Sequence, residues 1–497
     1  MQLEHLSALE LGDLINKKVI SPTESIRYFK DRIETRDTVN AFTYTKFDEA
    51  LAEAERVETA IMNGEDVGPL AGVPIALKDF LPSKKGWTHS HGGVKCIADR
   101  VDPESSEFTK ACERLGAIAV GKTNAPAFGF RGVTDNFMYG PTSTPFAEAY
   151  NSGGSSGGSC AAVGRGLVPA AEAGDAGGSI RVPAAWCGCF GFKPSAGIVP
   201  SVCRPDAWAA THPYCCGGPV TKTVDDAALI LEHMIRYDAY DPISVVTPAS
   251  LRGFRRYRKQ SSEKPLAGLR VAVTYSFDLF PAPKACIKHE IDRIAELLKL
   301  GGADVDLAFF HFNYSLPEIE EAWLRGICID TALDMQLEKG FSLLDHKEQL
   351  PEAYVKWNEI ALNSTMLDYR KFHEIRTDIL DAHNEVFDKY DVILAPVTGC
   401  MPVLNSVKSE DGLVQGPTNI HGKEVDPLIG FAYTYLENMI GTPAASIPAN
   451  LATVDGDVQL PVGVQIIAPR YSDARIFKVS YYLEKVNPWA QNYKYSF

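Results

Sequence analysis

The period of the apolar positions changes repeatedly along this chain, and each change marks an element. Ser21-Pro22-Thr23-Glu24 has the form of a capping box with proline at the first helical position, and Ile26, Phe29 and Ile33 follow at helical spacing. A second helix is predicted over 47–61, rich in Ala and Glu and ended by Asn63-Gly64. The short apolar run 70–77 stops at Lys78-Asp79. Residues 108–115 read as a helix stopped by Gly116, and 117–120 as a buried strand. This alternation predicts an α/β architecture, with helices covering a largely buried sheet.

Further along, residues 140–200 are packed with Gly, Ser and Ala in clusters separated by short apolar segments. Residues 250–263 form a basic connector (Arg252, Arg255, Arg256, Arg258, Lys259), read as a solvated loop. A strand is predicted at 269–273, and Ile287, Ile291, Ile294 and Leu298 make a helical stripe that Gly301-Gly302 ends. Residues 311–390 are mostly helical and polar, and strands return at 392–394 and 462–467. The α/β pattern resumes after the helical block and no long linker intervenes. One large domain over 1–497, with a helical insertion at 311–390 contributing to the substrate pocket, fits better than the three domains that length alone suggests.

Composition narrows the class. The chain has 497 residues, 45% hydrophobic and 23% charged, enough apolar content for a large core. Lys and Arg number 49 against 63 Asp and Glu, for a net charge of −14. That balance argues against a nucleic-acid binder, whose affinity rests on a basic face. The N-terminus carries Glu4, Glu10 and Asp13 among its leucines and does not read as a secretory signal, and no apolar run is long enough to span a membrane. Eleven scattered cysteines, an odd number without an export signal, read as reduced thiols in a cytoplasmic protein.

Two motifs match known patterns by letter and fail on context. Gly116-Ala-Ile-Ala-Val-Gly121-Lys122-Thr123 spells a phosphate loop, but that mechanism needs a strand before the first glycine and a helix after the lysine. Here a helix precedes and Asn124-Ala125-Pro126 follows, so the segment reads as a strand. Gly153-Gly154-Ser155-Ser156-Gly157 spells a nucleophile elbow, yet the segment before it is polar and broken by prolines where an elbow needs a buried strand.

The third signal is a constellation. Lys78 ends an apolar run, Ser155 lies in Gly153-Gly-Ser-Ser-Gly-Gly-Ser159, and 24 residues after Ser155 comes Ser179 in Asp175-Ala-Gly-Gly-Ser-Ile-Arg181. In this order and spacing the three segments resemble the amidase signature family. Gly121-Lys-Thr-Asn124, Gly191-Phe-Lys-Pro194, Gly218-Pro-Val-Thr221, residues 438–448 and Leu460-Pro-Val-Gly-Val-Gln465 extend the resemblance along most of the chain.

The resemblance implies a mixed central sheet covered on both faces by helices. It also implies an amidase working through an acyl-enzyme, with Ser179 as nucleophile, Ser155 as bridging serine after a cis peptide bond, and Lys78 as base. A serine hydroxyl is a poor nucleophile unless its proton leaves as it attacks. Lysine can take that proton only as a neutral amine, which burial favours. Backbone N–H groups of Ala176, Gly177 and Gly178, with that of Ser179, are candidates for an oxyanion hole. Asp175 and Arg181 read as a structural pair holding the loop.

No metal or other cofactor is required. His89-x-His91, Cys187-x-Cys189 and Cys215-Cys216 lack zinc-site spacing and are taken as loop histidines and buried thiols. The chain departs from the family pattern at Ala127, at Thr144-Pro145-Phe146 and at Ala173-Gly174-Asp175-Ala176, which puts any particular well-known substrate in doubt. Partners reduce to a small-molecule amide or acyl substrate, with a homo-oligomer left open. Two other readings compete: the same acyl-enzyme passed to an amine in natural-product biosynthesis, or a catalytically inactive binding protein on the same scaffold, against which Lys78, Ser155 and Ser179 argue together. Trp208, Trp323, Tyr354 and Trp357 belong to pocket or core, core being the commoner place for such residues.

Overall fold

The computed structural model describes residues 2–80, 82–245, 257, 263–337 and 341–496, so most of the basic connector lies outside the described residues. Eleven strands among those residues join one mixed sheet. They are β1 (Phe42–Thr45), β2 (Pro74–Lys78), β3 (Ile118–Thr123), β4 (Ala170–Asp175), β5 (Phe190–Lys193), β6 (Cys216–Thr221), β7 (Arg270–Val273), β8 (Asp304–Leu307), β9 (Val392–Pro396), β10 (Ala444–Val454) and β11 (Val458–Ile467). Their spatial order is β1-β3-β2-β4-β6-β5-β10-β11-β9-β7-β8. Strands β3, β2 and β4 run parallel at one end, β9, β7 and β8 at the other, and antiparallel pairs connect the two.

Side chains alternate across each strand, and the core divides accordingly. Ile75 and Leu77 of β2, Val271 and Val273 of β7, Val392 and Leu394 of β9, and Val464 and Ile466 of β11 pack in one layer. Ala76 of β2 faces the opposite layer with Ile118 and Val120. Farther along that second face, Ala272, Ile393 and Ala395 pack with Trp323, Tyr354 and Tyr435. Both faces are apolar because helices cover both. Lys78, last residue of β2, falls on the Ala76 side by the same alternation, and there the helix Gly157–Gly164 lies.

Local chemistry sets several element ends. Ser21 and Glu24 close a capping box on the helix Pro22–Arg36. The predicted helix at 47 is Phe47–Met62, the one at 108 is Glu107–Arg114 capped by Ser106, and the 287–298 stripe belongs to Ala285–Leu300. The polar block contains the helices Leu316–Leu337, Glu352–Leu362 and Met366–Phe387. Three expectations shift. Strand β3 runs through Gly121-Lys122-Thr123, past the predicted end, because Lys122 is buried on Asp102. The 70–77 run is turn until Pro74. Strand β10 escapes the periodic reading, as Pro448 and a register shift between Pro448 and Leu451 interrupt its pattern.

Candidate active site

Lys78 reaches the site from the end of a buried strand and is 4% exposed. Its Nζ donates to Ser155 Oγ at 2.8 Å and lies 5.0 Å from the centre of the Phe80 ring. Burial pulls the ammonium down to about 8, against the opposing pull of the Asp175 carboxylate. Loss of hydration destabilises the charged form, so the neutral amine is within reach near neutral pH.

Ser155 follows a cis Gly154–Ser155 peptide. The glycines around it have steric reasons. A Cβ on Gly154 would lie 2.7 Å from the Arg131 carbonyl oxygen, and one on Gly129 would lie 3.2 Å from Ser155 Oγ. A strand does precede this loop, Ala147–Asn151, but it pairs in a two-stranded hairpin outside the large sheet. The geometry is therefore not that of a hydrolase elbow.

Ser179 lies just beyond β4. The Ser156 N–H donates to the Ser179 carbonyl at 3.1 Å, which joins the two serine loops. Lys78 and Ser155 are buried, whereas Ser179 is partly exposed.

The 175–179 loop is held from several sides. Arg181, fully buried, donates Nε to Asp175 Oδ2 at 3.0 Å and Nη2 to Oδ1 at 3.1 Å. It also donates to Glu437 at 2.9 Å, Asn438 at 2.7 Å and Gln465 at 3.2 Å. Burial would raise the Asp175 carboxyl, but Arg181 outweighs it and holds the group low, at about 2. Asp175 in turn accepts from the amides of Gly178 at 2.7 Å and Ile180 at 3.2 Å. This corrects one expectation: the Gly178 N–H is already committed to Asp175, so it is not an open oxyanion donor. The amides of Gly177 and Ser179 have no acceptor among the described residues.

Loop carbonyls are bound by residues that sequence reading left unassigned. Asn438 Nδ2 donates to the Asp175 carbonyl at 2.9 Å, Trp323 Nε1 to that of Ala176 at 2.9 Å, and Thr434 Oγ1 to that of Gly177 at 2.6 Å. Asn438 opens a segment that matches the family by letter, which was the available signal, and Thr434 lies four residues ahead of it. Trp323, 147 positions from Ala176, had none.

Other candidates find different places. Of the two expected loop histidines, His91 lies in a turn and His89 ends a short strand, and both are buried. His89 bonds Asp102 through Nδ1 and meets His91 with Nε2 atoms 2.8 Å apart, while Lys122 Nζ donates to Asp102 Oδ2 at 2.7 Å. Cys187, Cys189 and Cys216 are buried thiols, but Cys215 is partly exposed. Among the described residues no three His, Cys, Asp or Glu side chains form a metal cage. Trp323 and Tyr354 are core residues, whereas Trp208 is 55% exposed.

A family model described as Amidase matches residues 24–477. The chain belongs to the amidase signature family. An acylamidase from Rhodococcus erythropolis is 30% identical over 98% of this chain and 97% of its own. The solved structure of a bacterial aryl acylamidase of the same family superposes with a TM-score of 0.91 at 37% identity, covering 99% of this chain and 98% of that one. A glutamyl-tRNA(Gln) amidotransferase subunit from Moorella thermoacetica is 31% identical over 98% of this chain and 97% of its own. This amidase is thus an enzyme acting on amides, built on the large mixed α/β sheet of its family. No helix among its described residues is long and apolar enough to cross a membrane.

Proposed function

We propose that this amidase hydrolyses carboxylic amides through an acyl-enzyme on Ser179, with Ser155 as proton bridge and Lys78 as base. The supporting observation is the 2.8 Å hydrogen bond between a buried lysine and Ser155, on a loop bonded directly to the one that carries Ser179. In the first step neutral Lys78 accepts the Ser155 proton and Ser155 accepts that of Ser179 as Ser179 Oγ attacks the carbonyl carbon. Charge developing on the carbonyl oxygen is met by the Gly177 and Ser179 amides, with Ala176 beside them. Gly178 supports the loop through Asp175. As the intermediate collapses, the proton returns through Ser155 to the leaving nitrogen, the C–N bond breaks and the amine departs. Water then attacks the ester with the same residues in the same roles, releasing the acid.

The substrate class we assign is an acyl amide of an aromatic amine. Its support is the pair of relatives named acylamidase and aryl acylamidase, together with the wall beside Ser155. Gly129 borders Ser155 Oγ, and its neighbour Phe128 stacks on Tyr354 at 4.6 Å, with Phe130 edge-on to the same ring at 5.3 Å. Tyr354, a core residue behind Phe128, belongs to the helix Glu352–Leu362, which supports a contribution of the helical block to the pocket.

Ser179→Ala is expected to abolish hydrolysis of an acyl anilide and labelling by a serine-directed acylating probe. Full activity in that variant would overturn the assignment. Product analysis with an added amine is expected to give free acid; a new amide as sole product would instead make the enzyme a transferase.

A further inference from the structure

We infer that Trp323 is the residue that aims the Gly177 amide at the oxyanion, a positioning role carried out from outside the signature segments. The inference rests on the acyl-enzyme reading above.

A peptide unit is planar, with its C=O and N–H pointing in opposite directions, so fixing one carbonyl fixes the amide of the next residue. Five successive carbonyls in this loop are gripped. Asn438 holds that of Asp175, Trp323 that of Ala176, Thr434 that of Gly177, the Val182 N–H that of Gly178 at 2.7 Å, and the Ser156 N–H that of Ser179. Each grip has its consequence one residue later. The Thr434 bond orients the Gly178 amide, which Asp175 already holds. Val182 orients the Ser179 amide from within the same turn. Asn438 orients the Ala176 amide and Trp323 the Gly177 amide, and neither amide has an acceptor among the described residues; of the two, Trp323 also packs against the peptide it aims.

The ring also locates the peptide laterally. A Cβ on Gly177 would lie 2.4 Å from Trp323 Cζ2, so glycine is required and the indole packs closely against the chain there. Trp323 is itself held, being 4% exposed and tilted against Tyr435 at 6.2 Å. Its helix, Leu316–Leu337, lies in the polar helical block, far in sequence from both serines. The donor geometry of the oxyanion site therefore depends on the part of the chain that carries no signature motif.

Trp323→Phe keeps an aromatic ring and removes the N–H. Removing one oxyanion donor outright costs about 10²–10³ in kcat. A donor left in place but no longer aimed is expected to cost roughly ten- to a hundredfold, with KM within about twofold and the midpoint of the pH–rate profile unmoved. A trifluoromethyl ketone, which forms a tetrahedral adduct with its oxygen in the donor site, is expected to lose affinity by the same factor as kcat. Replacing Trp323 by benzothienylalanine, an indole-shaped side chain without the N–H, provides the same test should the phenylalanine variant not fold. Unchanged kcat and unchanged ketone affinity in either variant would overturn the inference, as would a loss confined to KM. A wild-type enzyme that the ketone does not inhibit, with Ser179→Ala still active, would instead overturn the acyl-enzyme reading beneath it.

Discussion

At the scale of single residues, the proposed chemistry turns on how one lysine is solvated. Lys78 is buried at the end of a strand, and burial eases the loss of its proton against the Asp175 carboxylate, which favours the charged form. With the group near 8, most of the resting enzyme at pH 7 carries charged Lys78 and only a minority is competent. Rate on a neutral amide is therefore expected to rise about tenfold per pH unit below that value and to level above it. Stopped assays from pH 6 to 10 check this, and a flat profile would remove lysine as the base. Lys78→Arg is expected to lose activity by about 10²–10⁴-fold, because a guanidinium stays protonated across this range. The three residues proposed to react were legible as candidates in the sequence since their segments keep order and spacing. The state of Gly178 was not, because an amide's partner depends on how the loop folds back onto Asp175.

At the scale of elements, glycines decide how closely segments approach. The helix Gly157–Gly164 packs on the start of the 124–126 segment at Gly158, where a Cβ would lie 2.3 Å from the Asn124 nitrogen and 2.6 Å from the Ala41 carbonyl oxygen. Backbone cannot yield as a flexible side chain does. Gly158→Ala is expected to destabilise the protein by about 1–3 kcal/mol and to lower activity by displacing Ser155. Gly174, in contrast, has nothing within 4 Å of an added Cβ, and Gly174→Ala is expected to change stability by less than about 0.5 kcal/mol. Denaturant midpoints of the two variants make the comparison; equal losses would refute it. Amphipathic helices were read closely from their stripes and caps, as at Pro22–Arg36. Strands β6 and β10 were not, since Gly217-Gly218-Pro219 and Pro448 break any period-two pattern while neighbouring strands still supply their hydrogen bonds.

At the scale of the molecule, Arg181 joins parts of the chain that meet only in the fold. It bonds Asp175 at the end of β4, Glu437 and Asn438 in the helix Tyr435–Ile440, and Gln465 in β11. Breaking such a buried ion pair leaves carboxylates without a counter-charge, so Arg181→Met is expected to cost about 3–5 kcal/mol in urea unfolding. The pH dependence has a definite sign. Asp175 is held below its ordinary value of 3.8, so its contribution is complete above about pH 4 and is lost as pH falls toward about 2. The sequence by itself determined the α/β class, the capped helices and the order and spacing of the segments that carry Lys78, Ser155 and Ser179. These depend on local periodicity and on residue types that must stand in a set order along the chain. Tertiary structure alone decided which amides stay open to a substrate and which are taken. It also decided that a tryptophan 147 positions away grips the 175–179 loop, because hydrogen-bond partners are chosen by proximity in space, and proximity between distant segments leaves no period in the chain.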